Sequence, residues 1–562
     1  MSVVVEKARE QIVAALKSAA GQAMAEGIFP SVELPDFVVE APADRSHGDY
    51  AVNAAMVWAK QLHQAPRNIA TVLTEKADFS ETYVERFEIA GPGFINFFLS
   101  AQYYTDILRD IAAKGENYGR SNFGAGKRVL VEFVSANPTG PMHIGNARGG
   151  ALGDCLAAVL DMAGFYTERE FYINDAGNQI NKFGLSLDLR YQQLYREGVE
   201  MPEDSYHGED IIAHAKAYSE QFGDSLMEKT EEERRAALVA FALPKNIQGL
   251  EDDLLKYRIK YDTWFRESSL HQSGEAARIV EQLKASGHTY EEEGALWFRA
   301  TDFGCDKDFV LVRANGVPTY IVPDIAYHYN KLEVRKFDKA IDILGADHHG
   351  YVPRLKAALT ALGVDADRLH VVLMQMVRLV RDGEVIKASK RSGKAITLVT
   401  LLEEVPVDAA RFFFNLREPN SHFDFDLDLA VSEKNSNPVH YVQYAHARIC
   451  SVMRNLAEEG VTLRECTDEE LAKLSSPAER ELVLHLGGLT DEIITAAKSY
   501  DPARLTHYVV ELATRFHKFY DACRVKGEDE SLMQARLNLC AATASVIRGV
   551  LSSMKIEAPE KM

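Results

Sequence analysis

The sequence predicts a multidomain α/β protein in which a doubly wound parallel sheet lies between a small α/β domain and an all-α bundle. Three observations predict this order. Two apolar runs flank Gly91-Pro92-Gly93, as the arms of a strand pair would. Two strand–loop–helix units, at 127–164 and 339–363, are typical of a doubly wound sheet. Beyond residue 435 the chain shows helical periodicity almost to its end.

Size and composition limit the class of protein. The 562 residues are too many for one hydrophobic core, so we expect three or four domains. No apolar run reaches the roughly 18 residues of a membrane span, and charged residues near the N-terminus argue against a signal peptide. We therefore expect a cytoplasmic protein without membrane contact. The net charge of −20 argues against a nucleic-acid partner, although a local basic groove would still allow one.

The six cysteines are scattered, without a CxxC pair or a Cys/His cluster. We therefore expect neither structural zinc nor a disulfide framework. They are Cys155, Cys305, Cys450, Cys466, Cys523 and Cys540.

Residues 1–115 are predicted to form the small α/β domain. An amphipathic helix is predicted over 3–24, and a strand pair over 86–90 and 94–99. This part of the chain contains no catalytic constellation, and the Gly- and Asn-rich segment 115–127 is interpreted as a linker.

The first strand–loop–helix unit contains the strongest candidate site. The apolar run 129–134 predicts a buried strand, Pro and Gly then force a loop, and a helix is predicted from Asn146 to a stop at Gly164. A helix N-terminus binds phosphate through its unpaired N–H groups and its dipole. His143 and Asn146 could add donors there, and Gly145 would let an adenine ring approach. An ordinary βα loop is the alternative interpretation.

The loop sequence ANPTGPMHIGN resembles the "HIGH" motif of class I aminoacyl-tRNA synthetases, and EFVSANPTGPMHIGNARGG is similar to the arginyl-tRNA synthetase form. Asn146 replaces the last His, which keeps a donor but loses the imidazole. The resemblance implies a Rossmann-like catalytic domain in which His143 and Asn146 are catalytic. It also implies that the ATP-binding residues of this loop are Ala136, Asn137, Pro138, Thr139, Gly140, Pro141, Met142, His143, Ile144, Gly145 and Asn146.

The segments that follow alternate between predicted strands and helices. A strand and polar turn are predicted at 171–184, and a mainly helical insertion at about 186–290. Asn315-Gly316 between two apolar runs predicts a β-hairpin, followed by Tyr320 and Asp324 on a stretch broken by Pro323.

The second strand–loop–helix unit places Asp347, His348 and His349 after a strand, where ligands of open α/β sheets bind. The adjacent histidines suggest a metal site, but no third ligand has a matching spacing, so we expect no metal there.

A Lys- and Ser-rich loop follows the predicted Asp382-Gly383 turn. By itself, Lys387-Ala388-Ser389-Lys390-Arg391 could be a basic surface loop. The loop precedes the helical half of the chain. In sequence and position it resembles the mobile "KMSKS" loop of class I synthetases, with Ala388 in place of Met and Arg391 in place of the last Ser. The resemblance implies that Lys390 is catalytic and that Lys387, Ser389 and Lys390 contact ATP.

The resemblance extends over nearly the whole chain. Segments 45–60 and 91–100 resemble the N-terminal appended domain of arginyl-tRNA synthetases, which contacts tRNA, and the helical end resembles their anticodon-binding domain. Tyr441 and Tyr444 in that bundle are nevertheless more often core residues than base-stacking ones. The predicted domains are 1–115, 116–430 with the insertion, and 431–562.

The activity implied by the resemblance is arginine–tRNA ligation. ATP, accompanied by Mg²⁺, would convert L-arginine to arginyl-adenylate, and the arginyl group would pass to the 3′ end of the arginine tRNA. Apart from the resemblance, we expect a monomer. A guanidinium needs carboxylates that accept two hydrogen bonds, and Glu132 is notable because it lies within an apolar strand. By resemblance, the residues that line the arginine pocket are Glu132, Asn137, Tyr320, Asp324 and His348.

Two other functions stay open at this point. One is another class I enzyme, either a synthetase for a different amino acid or a nucleotidyltransferase, although such transferases are usually far shorter. The other is an inactive RNA-binding paralogue, for which the departures at Asn146 and Ala388 leave room.

Overall fold

The computed structural model describes residues 2–42, 44–386, 396–527 and 529–562. The first part of the chain contains a four-stranded antiparallel sheet in the order β1-β2-β4-β3, packed against helices. The strand pair predicted around Gly91-Pro92-Gly93 is confirmed as β3 and β4. The elements are α1 Val3–Ala25, β1 Val39–Glu40, β2 Tyr50–Val52, α2 Ala54–Leu62, α3 Pro66–Lys76, β3 Val84–Ala90, β4 Phe94–Leu99 and α4 Ala101–Lys114.

The middle of the chain is built on a five-stranded parallel sheet, as predicted. Its order is β12-β11-β5-β6-β7, so the chain winds outward from β5 in both directions. The elements are β5 Arg128–Glu132, α5 Ile144–Met162, β6 Tyr166–Ile173, α6 Gly177–Gln192, α7 Glu209–Phe222, α8 Glu231–Lys256, β7 Thr263–Arg266, α9 Glu267–Gln272, α10 Glu275–Ala285, β8 Thr289–Glu292, β9 Ala295–Phe298, β10 Phe309–Val312, α11 Ile321–Tyr329, β11 Lys339–Gly345, α12 Val352–Ala361 and β12 Leu369–Met374.

The strand order reverses between β5 and β11. In doubly wound sheets, ligands bind beyond the carboxyl ends of the strands at this switch point. Residues that directly follow β5 and β11 are therefore expected to face the site.

A smaller three-stranded sheet and a run of helices complete the chain. The sheet has the order β14-β13-β15. The elements are β13 Val377–Arg381, β14 Glu384–Val385, α13 Leu398–Glu404, α14 Val407–Phe414, β15 Phe423–Asp426, α15 Leu427–Ala430, α16 Pro438–Glu458, α17 Asp468–Leu471, α18 Pro477–Gly487, α19 Leu489–Ser499, α20 Ala503–Ala522 and α21 Glu530–Ser553.

The structure departs in part from two local predictions. The helical insertion was predicted to run to residue 290, but its residues 263–266 form β7, which pairs in parallel with β6 at the edge of the central sheet. Four residues are too short a run to show periodicity. The hairpin predicted at Asn315-Gly316 forms, because the Thr319 N–H donates to the Leu311 carbonyl at 2.8 Å, but its second arm is short and the rest of the second apolar run forms α11. Pro323 lies in the first turn of α11, where a missing N–H costs nothing.

The division of the chain at residues 115 and 430 stays a prediction. One continuous hydrophobic core includes buried side chains from Val4 to Ile556, so the three parts pack together rather than as separate globules. A second core covers the opposite face of the central sheet, and a smaller one lies among α6, α7 and α8. No helix within the described residues is long and apolar enough to cross a membrane.

Helix α5 is anchored at its middle by a buried charge cluster. The fully buried carboxylate of Asp154 contacts Arg411 Nη2 at 2.5 Å, Arg169 Nε at 2.9 Å and Lys555 Nζ at 2.9 Å. These cations come from α14, β6 and the residues after α21. The orientation of α5 is thereby fixed from three sides.

A glycine on α5 gives a test of this packing. A Cβ built on Gly153 would lie 2.1 Å from Phe133 Cγ, so Gly153→Ala is expected to lower the free energy of unfolding by about 1–3 kcal/mol. Gly21→Ala on α1 is the matched control, because nothing lies within 4 Å of its Cβ and Ala favours a helix interior. Urea denaturation measures both, and equal stability of the two variants would contradict the close packing.

Candidate active site

The site begins at a strained turn after β5. Val134 and Ser135 have φ of 68° and 41°, which lie in the left-handed region of backbone conformation. Residues other than glycine seldom adopt this region, and β-branched residues such as valine adopt it least of all. Ser135 Oγ donates to Glu132 Oε1 at 2.8 Å and accepts from the Tyr172 N–H at 3.1 Å. The Tyr261 hydroxyl donates to the Phe133 carbonyl at 2.9 Å. These bonds hold the turn that leads the chain off the sheet into the loop 136–143.

The loop forms one wall of a cleft of about 840 Å³ at the N-terminus of α5, here named the α5 cleft. The predicted ATP-binding residues on its wall are Ala136, Asn137, Thr139, Gly140, Pro141, His143 and Asn146. Pro138 and Met142 are buried behind the wall, and the Pro138 carbonyl accepts from Asn246 Nδ2 at 3.0 Å. The loop is thereby fixed from outside as well as from the sheet.

The first turn of α5 shows what Asn146 does in place of His. His143 is the exposed N-cap residue, and its N–H donates to Asn146 Oδ1 at 3.0 Å. The oxygen of Asn146 therefore caps the helix, while its amide group keeps its donors for a ligand. Ile144 and Gly145 are half-buried in the same turn, and a Cβ on Gly145 would meet no atom within 4 Å. The space beside Gly145 is open, as an adenine ring would require.

The chain that follows the Lys/Ser loop packs directly against this turn. The Ile144 N–H donates to the Ile396 carbonyl at 3.2 Å, and the Leu398 N–H donates to the Met142 carbonyl at 2.9 Å. His143 and Thr397 thus form an antiparallel bridge. Lys387, Ser389 and Lys390 lie outside the described residues, and the described chain resumes beside His143.

The helical insertion contributes a wall that the sequence analysis did not predict. Tyr206, Gly208, Glu209 and Asp210, just before and within the first turn of α7, also line the α5 cleft. They were missed because the insertion's charge runs indicate only solvated helix faces. No motif in the sequence marks these four residues.

A second cleft, of about 1,120 Å³, lies beside the first and is here named the α11 cleft. It brings together two of the predicted arginine-pocket residues, Tyr320 and Asp324, with the unpredicted Glu267. The side chains of Asn137 in the α5 cleft and Asn174 in the α11 cleft approach within 3.3 Å. The two clefts therefore meet at one point.

Asp324 is the predicted carboxylate that faces the α11 cleft. It is half-buried and accepts a hydrogen bond from the Tyr351 hydroxyl. Burial raises the pKa of Asp324, and the nearby charges of Glu132 and Glu267 raise it further, against the opposing effects of His328 and Tyr351. Because burial and the neighbouring carboxylates disfavour the ionised form of Asp324, a cationic ligand in the cleft would stabilise that form.

Glu132 and His348 do not line the α11 cleft. Glu132 is buried beneath it, where Oε1 accepts from Ser135 and Oε2 from Lys331, so both of its oxygens are occupied. His348 is exposed beyond β11, and its ring centroid lies 6.3 Å from that of Tyr351. Ser135, the partner of Glu132, lines the α5 cleft instead, and Tyr351, beside His348, contacts the α11 cleft through its bond to Asp324.

One group of described residues has the spacing of a metal site. Ligand atoms of Glu132, His328 and Asp342 lie within 4.8 Å of one another. Lys331 Nζ contacts two of these carboxylates and is fully buried, so its ammonium already supplies the cation. The six cysteines are all unpaired. The expected absence of a structural metal stays a prediction.

Three family models match successive parts of the chain. "Arginyl tRNA synthetase N terminal domain" matches residues 6–99, "tRNA synthetases class I (R), catalytic domain" matches 108–433, and "DALR anticodon binding domain" matches 442–562. The catalytic-domain match alone covers more than half of the chain.

Individual proteins are similar over the full length. Arginine–tRNA ligases of Acetivibrio thermocellus and Caldanaerobacter subterraneus subsp. tengcongensis are 51% and 52% identical to this chain, each with 100% of both chains covered. The solved arginyl-tRNA synthetase of Thermus thermophilus is 25% identical, with a TM-score of 0.74 and coverage of 98% of this chain and 99% of that one.

Proposed function

The chain belongs to the arginyl-tRNA synthetase family of class I aminoacyl-tRNA synthetases, and from this we propose that it ligates L-arginine to the 3′ end of the arginine tRNA at the cost of ATP. The main structural support for the proposal is that the α5 cleft and the α11 cleft meet. One is formed at a helix N-terminus, which suits phosphate, and the other contains two carboxylates, which suit a cationic amino acid. An adenylate must lie across such a junction.

The first step joins the two substrates. The arginine carboxylate attacks the α-phosphorus of ATP, a C–O–P bond forms, and the bond to the leaving pyrophosphate breaks. In such phosphoryl chemistry the protein mainly positions the reactants and stabilises charge. We propose that His143, Asn146 and the first N–H groups of α5 hold the triphosphate, while the cationic Lys390 approaches its outer phosphates. Mg²⁺ enters with ATP and is held mainly by phosphate oxygens and water.

The second step transfers the arginyl group. A hydroxyl of the terminal adenosine of the tRNA attacks the carbonyl carbon, the ester bond forms, and AMP leaves with the electron pair of the broken bond. The wall formed by Tyr206, Gly208 and Asp210 is the part of the α5 cleft that the insertion supplies. We propose that this wall confines the reacting adenylate while the tRNA end enters.

Selection of arginine is proposed to depend on Asp324 and Glu267. Both carboxylates line the α11 cleft, whereas Arg313 is its only lysine or arginine among the described residues. Tyr320 lies at the rim, 70% exposed, and its ring stacks near Tyr351, with centroids 6.1 Å apart. A neutral analogue would leave these carboxylates without a charged partner and should be rejected strongly. No separate editing site is therefore needed.

ATP–pyrophosphate exchange tests the proposal. With total tRNA present, arginine is expected to support exchange best among the twenty amino acids, and citrulline, which is similar in shape but neutral, about 10⁴-fold less well. Faster exchange with another amino acid would indicate a different synthetase. Binding of tRNA without exchange of any amino acid would indicate an inactive RNA-binding paralogue.

The state of assembly and the location are separate proposals. We propose a monomeric protein of the cytoplasm, as expected from the sequence. Sedimentation equilibrium at micromolar concentration is expected to give one chain mass, 62.7 kDa.

A further inference from the structure

Lys331 is a fully buried lysine beneath the α11 cleft, with its ammonium group between two carboxylates. Nζ lies 2.5 Å from Glu132 Oε2 and 2.8 Å from Asp342 Oδ1, and 4.1 Å from the centre of the Tyr327 ring. Burial alone would lower the pKa of Lys331, but Asp342 and Glu132 more than offset this and raise it above its ordinary value. A charged lysine in such a place costs free energy unless it is fully paired.

An irregular turn places Lys331 there. Residues Asn330–Val334 form a π-helical turn directly after α11, and such turns are frequent at functional sites. The turn brings Lys331 under Glu132, the last residue of β5, and under Asp342, its register partner in the middle of β11. These are the two strands of the topological switch point.

Two chains of hydrogen bonds run from Lys331 to the site. Through Glu132 the first reaches Ser135 in the strained turn. Through Asp342 the second reaches His328, whose Nε2 lies 2.6 Å from Asp342 Oδ2 and whose Nδ1 lies 2.7 Å from the Asp324 carbonyl oxygen. The second chain thus ends on the backbone of the residue that faces the α11 cleft. Removing the ammonium would remove the cation that joins Asp342 and Glu132, whereas the bond from Ser135 Oγ to Glu132 Oε1 does not involve Lys331.

We infer that Lys331 is a positioning residue for amino-acid recognition, which holds the carboxylates of Glu132 and Asp342 through two buried ion pairs and thereby fixes Asp324 at the floor of the α11 cleft. Lys331 does not touch the substrate, because no part of its side chain is exposed. The inference rests on the proposed function, since it concerns how the arginine pocket is held. It predicts a defect in arginine binding rather than in ATP binding.

The decisive variant is Lys331→Met, which keeps the chain length and removes the charge. The KM for arginine is expected to rise about 30-fold, because charged hydrogen bonds beneath the pocket are lost. The KM for ATP is expected to change less than about 3-fold, because the Ser135 hydroxyl still bonds Glu132 in the variant. Exchange kinetics with each substrate varied in turn measure both. Equal rises in the two constants would overturn the inference.

The pH dependence separates positioning from general destabilisation. Without the ammonium, two buried carboxylates lie close together with no cation between them, and protonation of the pair relieves their repulsion. Their ionisation returns as the pH rises, so the arginine KM of Lys331→Met should fall from pH 6.5 to pH 9, while that of the wild type stays level. The titratable and charged groups that face the pair are His328, Tyr327 and Asp324 on α11, Glu170 and Tyr172 on β6, and Tyr261 before β7.

Further variants keep the test decisive if Lys331→Met does not fold. Lys331→Met combined with Asp342→Asn removes the repulsion, yet Glu132 still lacks its ammonium, so the arginine KM should stay at least about 10-fold raised. Recovery of the wild-type KM in this double variant would show that Lys331 serves folding alone. Lys331→Arg keeps the charge and should give a smaller rise without the pH dependence.

Lys336→Met is the matched control. Lys336 lies five residues further on, exposed and paired with Glu333, and its loss should leave both KM values unchanged. The wild-type assay separates this inference from the proposed function. If the wild type does not activate arginine, the proposed function fails. If it does, and Lys331→Met keeps the wild-type arginine KM, the inference alone fails.

Discussion

Asp324→Asn is expected to lower kcat/KM for arginine in the exchange reaction about 10³-fold. The guanidinium would then contact a neutral amide instead of a carboxylate, at a position half-buried from solvent. The substitution keeps the shape of the side chain, so the Tyr351 hydroxyl still finds an acceptor oxygen. The KM for ATP should change little, because Asp324 lies in the α11 cleft and not in the α5 cleft. Exchange kinetics at saturating ATP, with tRNA present, measure the loss.

The pH profile gives a second readout of the same residue. Arginine is cationic throughout the working range, so its binding requires Asp324 to be ionised. Since burial raises the pKa of Asp324, wild-type kcat/KM should begin to fall at a higher pH than an ordinary aspartate would give, as the carboxylate is protonated. Asp324→Asn should lack this acid limb.

Asp306→Asn is the control for this prediction. Asp306 is exposed on the loop before β10 and lines neither cleft. Its replacement removes the same charge from the surface and should leave kcat/KM within about 2-fold of wild type. A similar loss in both variants would mean that net charge, and not the contact in the cleft, governs arginine activation.

The parts of the fold that the sequence predicted are those with long local patterns. The unit at 127–164 combines an apolar run, a Pro- and Gly-rich loop and a helical repeat, and it appears as β5, the site loop and α5. The four residues of β7 have no such pattern, and their pairing with β6 is a tertiary contact. The Asn315-Gly316 turn forms, but burial of Ile321, Val322 and Ile325 against the second core favours a helix over a second strand.

The position of a candidate residue could be predicted where it depends on that residue's own segment. His143 and Asn146 lie at the start of α5, and Tyr320 and Asp324 lie at the start of α11. The contact of Glu132 could not be predicted in this way, because its partner Lys331 lies 199 residues away along the chain. Contacts of this kind depend on how the strands are ordered, which local sequence does not reveal.

The structure also gives a reason for the strain after β5. Val134 and Ser135 lie between Glu132, which Lys331 holds from below, and the loop that lines the α5 cleft. An unfavourable backbone conformation persists only where its surroundings determine it. Here the hydrogen bonds from the Tyr172 N–H on β6 and from the Tyr261 hydroxyl before β7 hold the turn in this conformation. The turn before the nucleotide loop is therefore held by Glu132, by β6 and by the chain before β7 together.

Lys390→Ala is expected to depress adenylate formation about 10²-fold or more, because a cation that approaches the outer phosphates as the transition state forms would be lost. Lys390 itself lies outside the described residues, so its proposed role rests on its position in the Lys/Ser loop. The bonds of Ile396 and Leu398 to the turn of His143 support it, since the chain leaves that loop at the N-terminus of α5. Single-turnover measurement of adenylate formation gives the effect without the later steps.

The matched comparison is with Lys390→Arg and Lys256→Ala. The first keeps a cation and should lose less activity, although a planar guanidinium does not replace an ammonium group fully. The second removes an exposed lysine at the end of α8 and should have no effect on the reaction. Affinity for tRNA, measured by filter binding, should be nearly equal in all three variants, because Lys390 is proposed to act on the phosphates of ATP. Adenylate formation at the wild-type rate in Lys390→Ala would refute that role, whereas a parallel loss of tRNA affinity would place Lys390 on the RNA instead.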